Sequence, residues 1–351
     1  MNKLLFHFVI LLMSLVFFSC SPMRFFEIET YNPSGVTFPP EVKTVMIVNN
    51  SAQQPDDAGH RYMSNTKGES SLSISADSTA YTFCMSLGKA IAESPLFADV
   101  RICEDTLRID SFFYNIKSFN TYDVRSICSD YSVDALITLD KIFFNTVFYD
   151  RDMSIINMNT ASIEISGEMR AFWPGQKEVY KVPFEDTLSW FIEGNLDYEN
   201  TIKEDLIKKY IRSGMLYIAD YVGYDAHIGF VPHWSEDNRW YYTNVSSEWR
   251  VGTAYAVSEK WKEAAEAWEA LYGKAKNWKH KARLSSNIAL CNEMMGNFGK
   301  AVEYAEISYD LYKENDKADS SFVSLQKTYI ETLNKRKRAD AILSKQLNET
   351  D

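Results

Sequence analysis

Residues 42–48 read VKTVMIV, and this apolar, β-branched stretch decides the fold of the N-terminal part of the chain. Pro39 and Pro40 precede it, and Asn49 and Asn50 follow it, so turn-forming residues bound it on both sides. A short apolar run with such boundaries is typical of a strand that is buried on both faces. We therefore predict a buried strand at the start of a sheet.

Helices and strands alternate after this first strand. Residues 78–93 place apolar side chains three and four positions apart, which predicts an amphipathic helix with Ser78 as its N-cap. Residues 96–103 and 133–148 are predicted strands, with a second helix over 122–131 between them. Strands that alternate with helices are the signature of α/β layering.

The pattern then changes. Apolar and polar side chains alternate over 161–173, which is typical of an antiparallel strand with one solvated face. Pro174-Gly175 supplies a turn, and residues 179–188 can return as the hairpin partner before a final helix over 199–221. The sequence therefore predicts an α/β (or α+β) N-terminal domain with a mixed sheet over residues 41–235.

Two strands of this domain carry a family resemblance. They are the opening VKTVMIV strand and the strand that begins SVDALITL at residues 132–139. These two strands, together with the element order β-α-β-α-β-β-β-α, resemble the N-terminal domain of TolB and the related curli-secretion lipoproteins. The resemblance covers residues 40–150 and implies a scaffold domain of the cell envelope that has no enzymatic site.

The C-terminal part contains two similar helical hairpins. Residues 261–264 (WKEA) align with residues 298–301 (FGKA) at an offset of 37 residues. The hairpins resemble tetratricopeptide repeats, in which small residues let two helices approach and large ones fill the gaps between hairpins. We therefore predict an all-α, tetratricopeptide-like domain over 236–351, with an unrelated helical bundle as the alternative. The residues that match the family's packing positions are Gly252, Tyr255, Trp261, Ala264, Trp268, Ala289, Gly296, Phe298 and Ala301.

The second hairpin departs from the repeat pattern, because Asn292 and Ala305 stand where the family has aromatic residues. A stack of such hairpins leaves a concave groove lined by the first helix of each hairpin. Grooves of this kind commonly hold a peptide segment or another protein. By repeat phase, the candidate partner-binding residues in this groove are Arg250, Asn287 and Asn292.

The N-terminus has the form of a lipoprotein signal peptide. An apolar stretch from Leu4 to Phe18 is too short for a membrane-spanning helix and leads to Cys20. The pattern resembles the bacterial lipobox, although Phe17 stands where that family usually has Leu. The resemblance implies cleavage of residues 1–19 and lipidation of Cys20, with residues 20–40 as anchor and linker. An ordinary secretory signal that is cleaved elsewhere is the alternative.

The end of the signal, Phe-Phe-Ser-Cys, also looks like that of Bacteroidetes lipoproteins. Surface-exposed members of that group often carry acidic residues just after the cysteine, whereas residues 21–24 contain none here. We therefore expect a lipid-anchored protein of the outer membrane whose body faces the periplasm.

Charge and motifs disfavour nucleic acid and catalysis. A formal net charge of −11 repels phosphate backbones, so nucleic acid is not an expected partner. The sequence has no G-x-S-x-G, H-E-x-x-H, P-loop or dinucleotide motif. Asp56, Asp57 and His60 could suggest a metal or acid/base cluster, but a solvated polar loop is the favoured interpretation. We expect a protein that is not an enzyme and has no cofactor and no metal.

Four cysteines remain once Cys20 is set aside, and none has C-x-x-C spacing or a nearby histidine. Buried free thiols are favoured over disulfides, and no pairing follows from the sequence. The four are Cys84, Cys103, Cys128 and Cys291.

Four aromatic residues stand where the two predicted domains meet: Trp234, Trp240, Tyr241 and Tyr242. Such rings can stack on sugars, or they can anchor the connection between the domains, which is the favoured interpretation. As a whole, the chain is similar to uncharacterised tetratricopeptide-containing lipoproteins of Bacteroidetes. We predict a lipid-anchored binding or scaffold protein of the cell envelope whose repeats dock envelope proteins of unknown identity. The alternative is a glycan-binding outer-membrane lipoprotein.

Overall fold

The computed structural model describes residues 23–64, 68–105, 107–108, 110–152, 158–192, 204–315 and 317–347. Two compact units form: Pro33–His233 with Leu343–Asp351, called here the α/β unit, and Met1–Asn32 with Trp234–Ile342, called the helical unit. Within the described ranges, none of the helices combines the length and the apolar character needed to cross a membrane.

Nine strands and eight α-helices lie within the described residues. The strands are β1 (Met23–Asn32), β2 (Thr44–Asn49), β3 (His60–Ser64), β4 (Gly68–Ser71), β5 (Asp99–Ile102), β6 (Ala135–Asp152), β7 (Met158–Phe172), β8 (Tyr180–Ile192) and β9 (His233–Tyr242). The helices are α1 (Thr79–Ala92), α2 (Thr121–Tyr131), α3 (Glu204–Asp225), α4 (Ser247–Val257), α5 (Trp261–Lys274), α6 (Trp278–Met294), α7 (Phe298–Lys313) and α8 (Ser320–Gln346).

The long strand β6 is the axis of the sheet in the α/β unit. One edge of β6 pairs in parallel with β2 near its start and with β3 further along. The other edge pairs antiparallel with β7, which in turn pairs antiparallel with β8. β5 extends the parallel side next to β2, and β4 pairs antiparallel with β3. The sheet is therefore mixed, as the sequence predicted.

Helices cover both faces of the parallel part of the sheet. Val45 and Ile47 of β2 join the core that contains α1 and α3, whereas Met46 and Val48 join the core that contains α2. Because successive side chains of a strand point to opposite faces, a strand with helices on both sides needs apolar residues at every position. This burial explains why all four consecutive residues from Val45 to Val48 are apolar.

The start of α1 differs from the prediction. Ser78 does occupy the N-cap position, but its φ is 67° and its side chain makes no capping hydrogen bond. An N-cap side chain reaches the first-turn amides from an extended backbone, and the left-handed backbone at Ser78 replaces that conformation. The Thr79 hydroxyl instead donates to the carbonyl of Ala76 at 2.6 Å.

The helical unit contains a two-stranded sheet, β1 with β9, in addition to its helices. The prediction that residues 20–40 are only anchor and linker was therefore wrong, because Met23–Asn32 is a strand. The physical reason is that β1 has a core to join: Ile28 and Thr30 are buried, and the Phe26 ring stacks on Trp261 with centroids 5.9 Å apart. After β9 the C-terminal region is all-helical, as predicted.

Helices α1 and α3 approach each other closely at a glycine. A Cβ atom on Gly223 would lie 2.5 Å from the carbonyl oxygen of Phe83, which is backbone and cannot turn aside. We therefore expect Gly223→Ala to lower the free energy of unfolding of the α/β unit by about 1–3 kcal/mol, measured by chemical denaturation.

The matched control is Gly299→Ala in α7, where a Cβ atom would meet nothing within 4 Å. This change should be neutral or gain up to about 1 kcal/mol, because alanine is the better helix former. Unchanged stability of Gly223→Ala would contradict the close approach of the two helices.

Candidate functional site

The predicted partner-binding residue Asn287 lies against the chain's own strand β9. Asn287 is fully buried; its side-chain oxygen accepts from the backbone N–H of Tyr242 at 2.7 Å, and its Nδ2 donates to the Tyr242 carbonyl at 2.9 Å. One side chain thus makes the pair of hydrogen bonds that a neighbouring strand would make to β9. The end of β9 occupies the position that we expected for a partner segment.

Of the other two predicted groove residues, one is buried and one is exposed. Asn292 is buried, and its Nδ2 donates to the carbonyl of Ile288 in its own helix at 2.9 Å. Arg250 is exposed on α4. The groove prediction was therefore wrong for Asn287 and Asn292, because repeat phase does not reveal that β9 and α8 cover α6.

A buried ionic cluster fixes β9 on the helices. Glu293 of α6 has a fully buried side chain, and its carboxylate accepts from the Nε of Arg239 in β9 at 2.9 and 3.1 Å. Arg336 of α8 donates to the same carboxylate at 2.5 Å. The Tyr329 hydroxyl donates to it at 2.7 Å, and burial, together with the Glu293 carboxylate, raises the pKa of Tyr329 well above its usual value. The carboxylate therefore joins three elements: β9, α6 and α8.

The predicted repeat-packing residues range from fully buried to exposed. A Cβ atom on Gly252 would lie 2.4 Å from the Trp268 ring, so this glycine permits the approach of α4 and α5. Tyr255, by contrast, is 37 % exposed, and Gly296 has a φ of 76° in the turn after α6, with nothing near its Cβ position. Trp261 and Phe298 are half-buried. The residues with fully buried side chains are Ala264, Trp268, Ala289 and Ala301.

A groove of about 550 Å³ opens beside β1 in the helical unit, and we call it the β1 groove. It lies between β1, β9 and the turn from α4 to α5. The Phe26 ring lies 5.8 Å from that of Tyr241, and Trp234, 66 % exposed, lies 4.9 Å from the ring of Tyr31. A ligand in the groove would therefore meet aromatic surface.

The same groove is acidic. Glu27, Glu29 and Glu259 line it with exposed side chains, and no ion pair joins any of them to a cation among the residues that the structure describes. Arg24 also lines the groove, where its charge offsets part of the rise that burial causes in the pKa of Tyr241. Three carboxylates against one guanidinium favour a cationic ligand. The sequence did not reveal this site, because its strand β1 fell within a predicted linker.

The α/β unit does not bring the Asp56, Asp57 and His60 residues together as a site. His60 is buried in the core, where its Nδ1 lies 2.8 Å from the Thr146 hydroxyl, and burial lowers the pKa of His60. The described part of the chain has no cluster of three or more His, Cys, Asp or Glu side chains that could hold a metal ion. His60 is therefore a core residue, whereas the Asp56 and Asp57 side chains are exposed.

The four cysteines other than Cys20 are buried free thiols. Burial raises the pKa of Cys84 to about 12 and that of Cys128 to about 11, so both remain protonated at neutral pH. Cys20, the predicted lipidation site, lies outside the described residues.

Comparison with known families gives two matches. Residues 42–242 match the family described as "Domain of unknown function (DUF8603)", and residues 250–335 match "Domain of unknown function (DUF6340)". No curated protein matches the sequence.

Two solved structures are similar to about half of the chain. One is the rare lipoprotein B from Shewanella oneidensis, 7 % identical over 50 % of this chain and 89 % of that chain, with a TM-score of 0.22. The other is an uncharacterized protein, 11 % identical over 55 % of this chain and 98 % of that chain, also with a TM-score of 0.22. TM-scores this low carry no argument about fold or function.

The ionic cluster predicts a large effect of one buried substitution. Glu293→Gln removes the buried carboxylate that pairs with Arg239, whose side chain is 5 % exposed, and leaves the guanidinium only the half-exposed carboxylate of Asp237 as a counter-charge. We expect a loss of about 3–5 kcal/mol in the free energy of unfolding, measured by denaturation of the full chain. The control is Asp237→Asn, which removes a half-exposed carboxylate 3.5 Å from the same Arg239 and should cost less than about 1 kcal/mol. Similar losses for the two variants would refute the role given to Glu293.

A buried carboxyl in the α/β unit predicts a pH dependence. Burial raises the pKa of Asp140 from 3.8 to about 6, although Asn50 donates to it and Arg170 lies 3.3 Å away. Because the folded-state pKa is the higher one, the contribution of Asp140 to stability is greatest below pH 3.8 and is lost as pH rises through 6.

The measurement is the difference in unfolding free energy between the parent and Asp140→Asn at several pH values. From pH 4 to pH 7.5 the parent should lose stability relative to the variant, by at most about 3 kcal/mol. A difference that stays constant, or that changes in the opposite direction, would show that Asp140 has no raised pKa in the folded chain.

Proposed function

This chain belongs to the DUF8603 family, and we propose that it is a lipid-anchored scaffold of the cell envelope that binds a partner protein in the β1 groove. The observation that carries the proposal is the β1 groove itself, where one opening is lined by aromatic rings and by three carboxylates that form no ion pair with any described residue. The groove's volume of about 550 Å³ is within the range of ligand sites in proteins.

The anchor is supported by the sequence at Cys20. A signal-like apolar stretch ends at this cysteine, and the acyl chains of a lipoprotein contribute about 0.8 kcal/mol for each buried methylene. Only Ser21 and Pro22 separate Cys20 from β1. Because an extended residue spans about 3.5 Å, lipid on Cys20 would hold the β1 groove close to the membrane surface.

The remaining features of the proposal follow from the sequence. The absence of acidic residues at 21–24 favours the outer membrane with the protein facing the periplasm, in a Bacteroidetes-like host. The two helical hairpins of α4–α7, which resemble tetratricopeptide repeats, serve in this proposal as the support that holds β9 and β1. The partner is an envelope protein; catalysis and nucleic-acid binding are not part of the proposed function.

The test of the proposal is affinity enrichment of the full chain from the solubilised envelope of its host. A variant with Trp234→Ala and Glu29→Lys alters the β1 groove, and Glu236→Lys alters an exposed residue of β9 that does not line it. We expect one protein to be enriched with the parent and with Glu236→Lys, and to be lost with the groove variant. Equal enrichment with all three, or none with any, would contradict the proposal.

The anchor is tested separately. Cys20→Ser should lose labelling by a palmitate analogue and move from the membrane to the soluble fraction, whereas Cys84→Ser, a change at a buried thiol, should not. A labelled Cys20→Ser protein would disprove lipidation at this residue.

A second candidate, glycan binding, is favoured by one observation, the exposure of Trp234 in the β1 groove. Exposed rings stack on sugars. Trp240 is less suited, since it is half-buried with its ring 5.1 Å from that of Tyr329. Binding to a glycan array that is lost with Trp234→Ala and kept with Trp240→Ala would support this alternative.

A further inference from the structure

From Phe26 to Glu29, only one edge of strand β1 is paired with another strand of the described chain. It forms a two-stranded sheet with β9, and no other strand in the described ranges pairs with it. The β1 groove follows the strand, because consecutive residues from Phe26 to Glu29 line it. An unpaired edge offers backbone N–H and C=O groups to an added strand.

The helical unit already binds the backbone of one of its own strands through hydrogen bonds. Asn287 holds the backbone of β9 at Tyr242 by two hydrogen bonds, and β9 in turn pairs with β1. Strand β9 therefore lies next to the helical hairpin, and β1 lies next to β9. A strand added to β1 would be the third strand of this sheet.

The negative charges of the groove favour an added strand that carries positive charges. Glu27 and Glu29 are two positions apart in β1 and both exposed, so they lie on the same face of the strand. A second copy of the chain pairing through β1 would bring glutamates of one copy near those of the other, and like charges that face each other across strands are destabilising. Lysine or arginine residues at alternate positions would instead meet opposite charges.

We propose that the β1 groove binds an extended segment of a partner protein as an added strand on β1. The segment carries Lys or Arg at alternate positions facing Glu27 and Glu29. This inference rests on the proposed function and specifies the kind of segment that the partner presents. Glu259, at the turn between α4 and α5, adds a third carboxylate to the same groove.

The test uses the full chain and synthetic peptides, with affinity measured by fluorescence anisotropy. The first peptide alternates Lys and Val over six residues, and the second has the same composition with the three lysines grouped. Two further versions of the alternating peptide are N-methylated at every second amide, in one register or the other. Because alternate amides of a strand point to the same side, only one of these registers blocks pairing with β1.

The alternating peptide should bind at least about tenfold more tightly than the grouped peptide, and one N-methylated register should lose at least about tenfold in affinity while the other does not. Equal binding of the alternating and grouped peptides, or equal effects of both N-methylated registers, would overturn strand addition.

Glu259→Gly is the sharpest variant for this test. Glu259 has a φ of 57°, a left-handed backbone that glycine adopts without strain. Because Glu259 is also exposed, the change should remove one carboxylate without lowering the free energy of unfolding, and thermal denaturation of the variant checks this. We expect a decrease in affinity of at least about threefold with Glu259→Gly and at least about tenfold with Glu27→Gln and Glu29→Gln combined, and none with Glu236→Gln. Unchanged affinity of all these variants would show that the peptide binds outside the β1 groove.

Failure of this inference is distinguishable from failure of the proposed function. Groove-dependent enrichment of an envelope protein without register-dependent peptide binding would leave the function standing and reject strand addition. Peptide binding that depends on the N-methylated register, without groove-dependent enrichment of a protein, would support strand addition on β1 and reject an envelope protein as the partner. Glycan binding that needs Trp234, with no binding of any peptide, would reject both in favour of a sugar site.

Discussion

A carboxylate buried without water needs cations within hydrogen-bond distance, and this requirement organises the helical unit around Glu293. Arg239 can reach Glu293 only when β9 lies along α6, and Arg336 only when α8 packs there as well. Asn287 adds two hydrogen bonds from α6 to the backbone of the same strand. These polar contacts fix β9 in one register, which nondirectional apolar packing alone would not do.

The position of β9 decides which surface of the helical unit remains for other molecules. With α6 covered by β9 and α8, the inner face of the second hairpin is filled by the chain itself. The surface that is left for binding is the next layer outward, the strand β1 with its groove. Stability and binding are thereby separated: buried charges hold β9 in place, and exposed charges on β1 and the α4–α5 turn face solvent.

The sequence predicted elements with strong periodicity and missed the contacts that cross between elements. The apolar stretch at 42–48 and the alternation at 161–173 each reflect burial along one strand, so both could be read from local pattern. Asn287 looked like an exposed groove residue, because its burial depends on β9, 45 residues away in sequence. Strand β1 was missed for the same reason, since its partner β9 follows about 200 residues later. The β1 groove combines residues from β1, β9 and the α4–α5 turn, and no local sequence pattern indicates that these segments meet.

Strand β9 lies against the helical hairpin as an intramolecular ligand held by Asn287, and amide hydrogen exchange at Tyr242 tests this arrangement most directly. The backbone N–H of Tyr242 donates to Asn287, so it should exchange only as slowly as the helical unit unfolds, and Asn287→Ala should make it exchange much faster. Exchange of the Tyr242 amide in the parent chain at the rate of a solvent-exposed loop would contradict the account.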